Sequence, residues 1–143
     1  MAVDEEPQGS GEASALELLQ RGLQALAGRD WEALRLLCND DCVWRIPGRS
    51  PLAGEFIGPD AIVARFQLMA RKTVSDRPPK LVALLDGRDY AAAVQRNYVV
   101  GHDGSELPFT TITLVRARGG RLAEMQYFPS DQYTDDDLWS SRL

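Results

Sequence analysis

The stretch CVWRIPG, residues 42–48, is a short extended run that stops at Pro47-Gly48. Because side chains alternate along a β-strand, Trp44 and Ile46 share one face and Arg45 lies on the other. Two bulky apolar side chains on one face must be covered, either by a packed core or by the wall of a pocket. The function of the chain depends on which of these two they face.

Two helices are predicted before this strand. Ser14 and Glu17 form a capping box that begins the first helix, and Gly28 ends it. Its apolar face is a row of leucines at spacings of three and four: Leu16, Leu19, Leu23 and Leu26. Asp30 can cap the second helix. The inner face of that helix carries Trp31, Leu34, Leu37 and Cys38.

A third helix and further strands are predicted after it. SPLAGEFIG (50–58) is a second extended piece, and Pro59 suits the first turn of a helix that carries Ile62, Phe66 and Met69 on one side. Four strands follow: KLVALLDG (80–87), DYAAAVQRNYVVG (89–101), LPFTTITLVRARGG (107–120) and RLAEMQYF (121–128). Gly119-Gly120 predicts a two-residue hairpin turn. Thr134 is the predicted cap of a last short helix, with Asp135, Asp136 and Asp137 in its first turn.

This order of elements predicts an α+β fold. Three helices are segregated on one face of a strongly curved, mixed or antiparallel sheet, and a short C-terminal helix follows. Such a sheet leaves a cone, which is either filled by side chains or open to a ligand.

Composition limits the classes of function. The chain has 143 residues, 44% of them hydrophobic, which predicts one domain over residues 14–143 after a disordered acidic tail, residues 1–13. Beyond residue 14, 17 acidic residues face 16 basic ones, so no nucleic-acid partner is expected. There is no apolar run of roughly 20 residues and no signal pattern, which predicts a cytoplasmic protein without a membrane partner.

The chain offers few metal ligands. Cys38 and Cys42 are interpreted as reduced, partly buried thiols, with a redox pair as the alternative. His102 is the only histidine and lies in a predicted polar loop. No metal site and no cofactor are therefore expected.

The segment LQRGLQALAGRDWEALRLLCNDDCVWRIPGRSPLAGEFIGPDAIVARF, residues 19–66, resembles the N-terminal half of the nuclear transport factor 2-like superfamily. That group includes ketosteroid isomerases, SnoaL-like polyketide cyclases and limonene-type epoxide hydrolases. PLAGEFIGPDAI (51–62) and YFPSDQYTDDDLW (127–139) look most like the SnoaL-like branch. The resemblance implies a cone-shaped α+β barrel with Trp44 and Ile46 facing its pocket. It also implies a homodimer that pairs through the outer face of the sheet.

The catalytic residues of these relatives are replaced here. At the positions that the resemblance assigns to the ketosteroid isomerase base, tyrosine and protonated aspartate stand Ile46, Gly22 and Thr113. Tyr127 stands where SnoaL-like cyclases have an aspartate. Gly22, in mid-helix, either makes room for a ligand or lets backbones pack closely.

Other polar groups are candidates for the pocket. Asp131, just past the last strand, either reaches the mouth of the cone or only caps a turn. Strand 90–100 presents one of two faces to the pocket, and the sequence does not choose between them. The first consists of Tyr90, Val94, Arg96 and Tyr98, and the second of Ala91, Ala93, Gln95 and Asn97.

The leading hypothesis is a cyclase or isomerase that acts on an apolar, oxygenated small molecule of polyketide-type secondary metabolism. Its predicted catalytic residues are Tyr127, Asp131 and Arg96. Its predicted ligand-binding residues are Trp44, Ile46, Gly22, Trp31, Phe66, Tyr98, Thr111, Thr113 and Met125. The alternatives are a non-catalytic binding or scaffold module and an epoxide hydrolase, for which Arg96 and Asp131 supply only part of the required set.

Overall fold

The computed structural model describes residues 11–72, 77–100 and 104–143, so residues 1–10 of the predicted tail and His102 lie outside the described residues. The elements in chain order are α1 (Ala15–Ala27), α2 (Trp31–Leu37), β1 (Cys38–Ile46), β2 (Gly54–Ile57), α3 (Pro59–Lys72), β3 (Lys80–Gly87), β4 (Tyr90–Val100), β5 (Glu106–Arg118), β6 (Arg121–Pro129) and α4 (Gln132–Arg142). None of the helices in these ranges has the length and apolar character needed to cross a membrane.

The six strands form one mixed sheet in the order β2-β1-β6-β5-β4-β3. β1 runs parallel to β6, and the other neighbours are antiparallel. The sheet is curved but not closed, because β2 and β3 remain as its two edges. The predicted α+β cone is therefore confirmed, with an open sheet in place of a complete barrel.

Most predicted element ends are confirmed. The Ser14 hydroxyl accepts a hydrogen bond from the Glu17 backbone N–H at 3.1 Å, which completes the capping box. The Asp30 carboxylate accepts one from the Ala33 N–H at 3.1 Å and caps α2. The hairpin between β5 and β6 turns at Gly119 and Gly120, with φ of 63° and 78°, a region that glycine adopts without strain.

The prediction that Cys38 lies on α2 is wrong, because β1 begins at that residue. β1 contains a bulge. Cys38 pairs with Leu122 and Val43 pairs with Glu124, so β1 advances five residues where β6 advances two. Cys38 and Cys42 are buried free thiols at this bulge. The Cys38 thiol donates to the Leu34 carbonyl at 3.5 Å.

The predicted cap of the last helix is also wrong. Asp131, and not Thr134, caps α4, and its carboxylate accepts from the Thr134 N–H at 3.1 Å and from the Thr134 hydroxyl at 2.8 Å. Aspartate and threonine are both good caps, and here the residue nearer the strand is used. With this start, Asp135 shares the buried side of α4 with Leu138 and Trp139.

The two faces of the sheet differ. α1 packs on the concave inner face, against β3, β4, β5 and β6. The outer face carries a ladder of ion pairs, Glu55–Arg45–Glu124–Arg116, with N···O distances of 2.9, 3.1 and 2.6 Å. Beside this ladder, exposed apolar side chains interrupt the polar surface: Leu85, Ile112 and Phe128.

Candidate functional site

A cavity of about 220 Å³ lies between the helices and the inner face of the sheet. Its helical wall is apolar and consists of Leu18, Leu19, Gly22, Leu23, Leu26, Leu34, Phe66 and Met69. The rest of its wall comes from Pro79 and from the sheet residues Trp44, Gln95, Asn97, Thr111, Thr113, Val115, Leu122, Met125 and Tyr127. The cone is thus partly open.

Trp44 forms part of this wall. Its ring is buried and stacks on Phe66, with the ring centroids 3.8 Å apart and the planes 13° from parallel. Ile46 does not belong to the wall, although it shares the inner face with Trp44. It lies further along β1 and packs into the main core, so its predicted role in lining the pocket is corrected.

Of its two faces, β4 presents to the cavity the one that carries Ala91, Ala93, Gln95 and Asn97. Gln95 and Asn97 line the wall, whereas Arg96 is exposed. Tyr98 also points to the outer side, where the Arg77 guanidinium lies 4.4 Å from its ring centroid. The predictions that Arg96 and Tyr98 face the pocket are corrected for the same reason: strand alternation places both on the opposite face from Gln95 and Asn97.

Five lining residues form what we call the polar strip: Gln95, Asn97, Thr111, Thr113 and Tyr127. They come from three neighbouring strands, in which Gln95 pairs with Thr111 and Thr113 pairs with Tyr127. The Asn97 side-chain amide donates to the Thr111 hydroxyl at 2.7 Å. All five are uncharged at neutral pH, so the strip offers hydrogen-bonding groups without a formal charge.

The Tyr127 phenol connects the cavity to a buried carboxyl group. Its O–H donates to Asp135 at 3.0 Å. Asp135 is 1% exposed, and this burial raises its pKa to about 6. Hydrogen bonds from Tyr127 and Trp139 lower that pKa, and the charge of Asp136 raises it. Burial, and then the charge of Asp135, raises the pKa of Tyr127 far above its usual value, so the phenol stays protonated.

Sequence reasoning missed Asp135 and chose Asp131. The Asp131 carboxylate is exposed, and hydrogen bonds from the Thr134 hydroxyl and N–H lower its pKa, so it is a helix cap outside the cavity wall. A signal for Asp135 existed, because Leu138 and Trp139 lie three and four residues further on and mark the buried side of a helix. With Thr134 as the predicted cap, Asp135 is the first residue of the helix, where the helix dipole alone accounts for an aspartate.

The remaining predicted residues fall into two groups. Gly22, Trp44, Phe66, Thr111, Thr113, Met125 and Tyr127 are brought together around the cavity. Trp31 is not, because it packs against a second apolar cluster of Ala25, Leu34 and Val63. Arg96 and Asp131, the two partial candidates for epoxide hydrolysis, both lie outside the cavity wall. Among the described residues, no group of three or more His, Cys, Asp and Glu side chains could hold a metal ion.

Gly22 widens the cavity. A Cβ atom added to it would meet only the Leu37 Cδ1 atom, at 3.9 Å, which is an ordinary van der Waals contact. Close approach of two backbones is therefore not the reason for a glycine in the middle of α1. The first alternative, space beside the helix, is the one that the structure shows.

The family model described as the SnoaL-like domain matches residues 19–125. The chain belongs to the SnoaL-like domain family. Membership of this family indicates the fold and not a particular reaction, because one fold carries many chemistries. No match was found among curated proteins.

Solved structures share the fold. Bal32a, from a soil-derived mobile gene cassette, is 27% identical and superposes with a TM-score of 0.76 over 86% of this chain and 94% of its own. TerC, co-crystallised with polyporic acid, is 16% identical, with a TM-score of 0.72 over 87% and 96%. A Shewanella denitrificans protein named as a SnoaL-like polyketide cyclase is 15% identical, with a TM-score of 0.64 over 83% and 93%. The last two are similar in fold alone.

The raised pKa of Asp135 predicts that stability falls as pH rises. The folded state holds this proton with a pKa of about 6 against 3.8 for the free side chain. The stabilisation is complete below the unfolded pKa and is lost as pH rises through about 6, a change of about 3 kcal/mol. We expect urea unfolding between pH 4.5 and 7.5 to show about 2 kcal/mol of this loss, the part that falls above pH 4.5, and Asp135→Asn to remove most of it. Asp131→Asn is the matched control and should leave the pH dependence of stability unchanged over this range. The pKa of Asp131 is lowered in the folded state, so its titration affects stability only at lower pH.

Gly22→Ala should make the protein more stable. Alanine in mid-helix is favoured over glycine by about 0.5–1 kcal/mol, and the added methyl group has room. The control is Gly28→Ala at the end of the same helix, where φ is −90° and no such gain is expected. Chemical denaturation of both variants tests this. A loss of stability on Gly22→Ala would mean that close packing, and not space, explains this glycine.

Proposed function

We propose that this protein is an enzyme that removes a proton from the carbon beside a carbonyl group of an apolar small molecule. Proton removal at this position begins both isomerisation and carbon–carbon ring closure. The observation that carries the proposal is the hydrogen bond between Tyr127, on the cavity wall, and the buried Asp135. Tyr127 and Asp135 are called the dyad below.

The dyad can act as a base in two linked transfers. The substrate C–H bond breaks, its proton passes to the phenol oxygen of Tyr127, and the phenol proton passes to Asp135. The electron pair of the C–H bond moves into the enolate of the substrate. A tyrosine alone is a poor base at neutral pH, whereas a carboxylate with a pKa of about 6 is well matched to that pH. Asp135 therefore supplies the basicity and Tyr127 carries it to the cavity.

The polar strip supports the enolate oxygen. Amide N–H and hydroxyl groups of Gln95, Asn97, Thr111 and Thr113 face the same cavity as Tyr127. Neutral donors in a site that excludes water stabilise developing negative charge strongly, because the local dielectric constant is low. The apolar helical wall excludes that water.

The family and the chemistry together suggest polyketide-type secondary metabolism as the setting. Enolates of polyketide-like ketones close rings by attacking a second carbonyl carbon, and a cavity that folds the substrate brings the two carbons together. A location in the cytoplasm fits this role. No described lining residue is charged, which favours one alternative function: a module that binds such a molecule without turning it over.

Deuterium exchange distinguishes the two functions. We expect the wild-type protein to accelerate exchange of the α-hydrogens of 2-tetralone in D₂O, measured by NMR. Because the base is the ionised form of Asp135, the protein-dependent rate should rise as pH passes through about 6 and then level off. Tyr127→Phe and Asp135→Asn should each lower it by roughly 10²-fold or more.

The matched control is Asp131→Asn, which changes an exposed aspartate four residues along the chain from each member of the dyad and should leave the rate unchanged. A binding module gives no protein-dependent exchange at any pH. Equal rates for wild type, Tyr127→Phe and Asp135→Asn would exclude the dyad as the base.

We also propose that two copies pair through the outer face of the sheet. Ile112 and Phe128 are cross-strand partners on that face, 38% and 42% exposed. The neighbouring ladder alternates in sign, Glu55–Arg45–Glu124–Arg116, so a second copy related by a two-fold axis can oppose unlike charges.

Sedimentation velocity tests this pairing. The wild-type chain should sediment as a dimer, and Ile112→Lys should shift it to a monomer, because a buried unpaired charge opposes association. Leu36→Lys changes an equally apolar residue, 63% exposed on α2 and away from the sheet, and should remain dimeric. A monomeric wild type contradicts the proposal.

A further inference from the structure

We infer that the ligand of this cavity is an uncharged molecule of one or two rings with its oxygen atoms along one edge, and that Gly22 sets its upper size. This inference rests on the proposed function, since it takes the same cavity as the substrate site. It narrows the substrate class within the polyketide-type molecules of the proposed function to those of one or two rings. Size, charge and the distribution of polarity support it independently.

The volume limits the number of rings. An apolar protein cavity of about 150 Å³ holds one benzene molecule. The present cavity, about 220 Å³, is only half as large again. It therefore fits one substituted ring or two compact fused rings, and a rigid four-ring skeleton exceeds it.

The lining excludes a charged ligand. Within the described part of the chain, none of the residues that form the wall is Arg, Lys, His, Asp or Glu. The carboxyl group of Asp135 lies behind Tyr127 and repels an anion when it is ionised. An anionic ligand would lose its hydration and gain no cationic partner, which is strongly unfavourable.

Polarity is confined to one wall. The polar strip belongs to β4, β5 and β6, whereas the opposite wall is made of α1 leucines, Phe66 and Met69. Adjacent strands are about 4.8 Å apart, so the amide and hydroxyl groups of the strip form one compact patch. A ligand that matches both walls carries its oxygen atoms on one edge and apolar ring surface elsewhere. The stacked rings of Trp44 and Phe66 provide a flat aromatic surface beside it.

Gly22 determines how far the ligand can extend toward α1. It lies on the helical wall, and a methyl group at this position meets no backbone within the described residues. Gly22 is itself one of the residues that line the cavity, so a side chain added here adds volume at its wall. Substitution by alanine reduces the room for a second ring without disturbing the helix.

Three probes test the ligand class by isothermal titration calorimetry and by quenching of tryptophan fluorescence. They are coumarin, which is neutral with two rings; coumarin-3-carboxylate, its anionic analogue; and androst-4-ene-3,17-dione, which is neutral with four rings. We expect coumarin to bind, the carboxylate to bind at least tenfold more weakly, and the steroid to show no binding. Gly22→Ala should weaken coumarin binding at least fivefold, whereas Gly28→Ala should change it less than twofold.

The inference is overturned if wild-type protein does not bind coumarin, or if the carboxylate or the steroid binds more tightly than coumarin. Equal effects of Gly22→Ala and Gly28→Ala would remove Gly22 as the size-setting residue. The two proposals fail separately. Coumarin binding without exchange of 2-tetralone supports the ligand class and contradicts the proposed enzymatic function. Exchange of 2-tetralone together with tighter binding of the steroid supports the enzymatic function and contradicts the ligand class.

Discussion

The contact between α1 and the concave inner face of the sheet determines the rest of the molecule. A straight helix cannot fill the hollow of a strongly curved sheet, and side chains must occupy whatever space the two surfaces leave. Leu18 and Leu19 fill part of it, but Gly22 contributes no side chain to the next turn. Close packing is the rule in protein interiors, so a void maintained at this place is informative. The hollow, the apolar wall and the access of Tyr127 to it all follow from this one contact.

A second constraint acts at the other end of the cavity. A buried carboxyl group is costly unless hydrogen bonds compensate it, and Asp135 receives them from Tyr127 and Trp139. The neighbouring Asp136 fixes α4 to the loop after β1, where it accepts from the Arg49 N–H at 3.0 Å. α4 thus does more than close the fold, because it brings a buried carboxyl group into hydrogen-bonding contact with the polar strip.

Much of this architecture could be predicted from the sequence, because it depends on local rules. The capping box at Ser14, the cap at Asp30 and the paired glycines at 119 and 120 each determine one element end through a short-range hydrogen bond or dihedral angle. The inner face of β4 could not be predicted. Both of its faces mix apolar and polar residues, so only the curvature of the whole sheet decides which one is covered. The dyad was missed for a related reason: with the cap placed at Thr134, the helix dipole alone accounts for Asp135 in the first turn, and its place on the buried side with Leu138 and Trp139 was not considered.

The bulge in β1 has a practical consequence. Both thiols, Cys38 and Cys42, are buried at this bulge beside the β1–β6 seam, where a reagent in solution cannot reach them. A thiolate reacts only when it is exposed, so alkylation of these cysteines has to wait for the seam to separate. The rate at which a small alkylating agent labels these cysteines therefore reports how often β1 and β6 separate. The two buried cysteines thus provide a built-in chemical probe for local opening of the core.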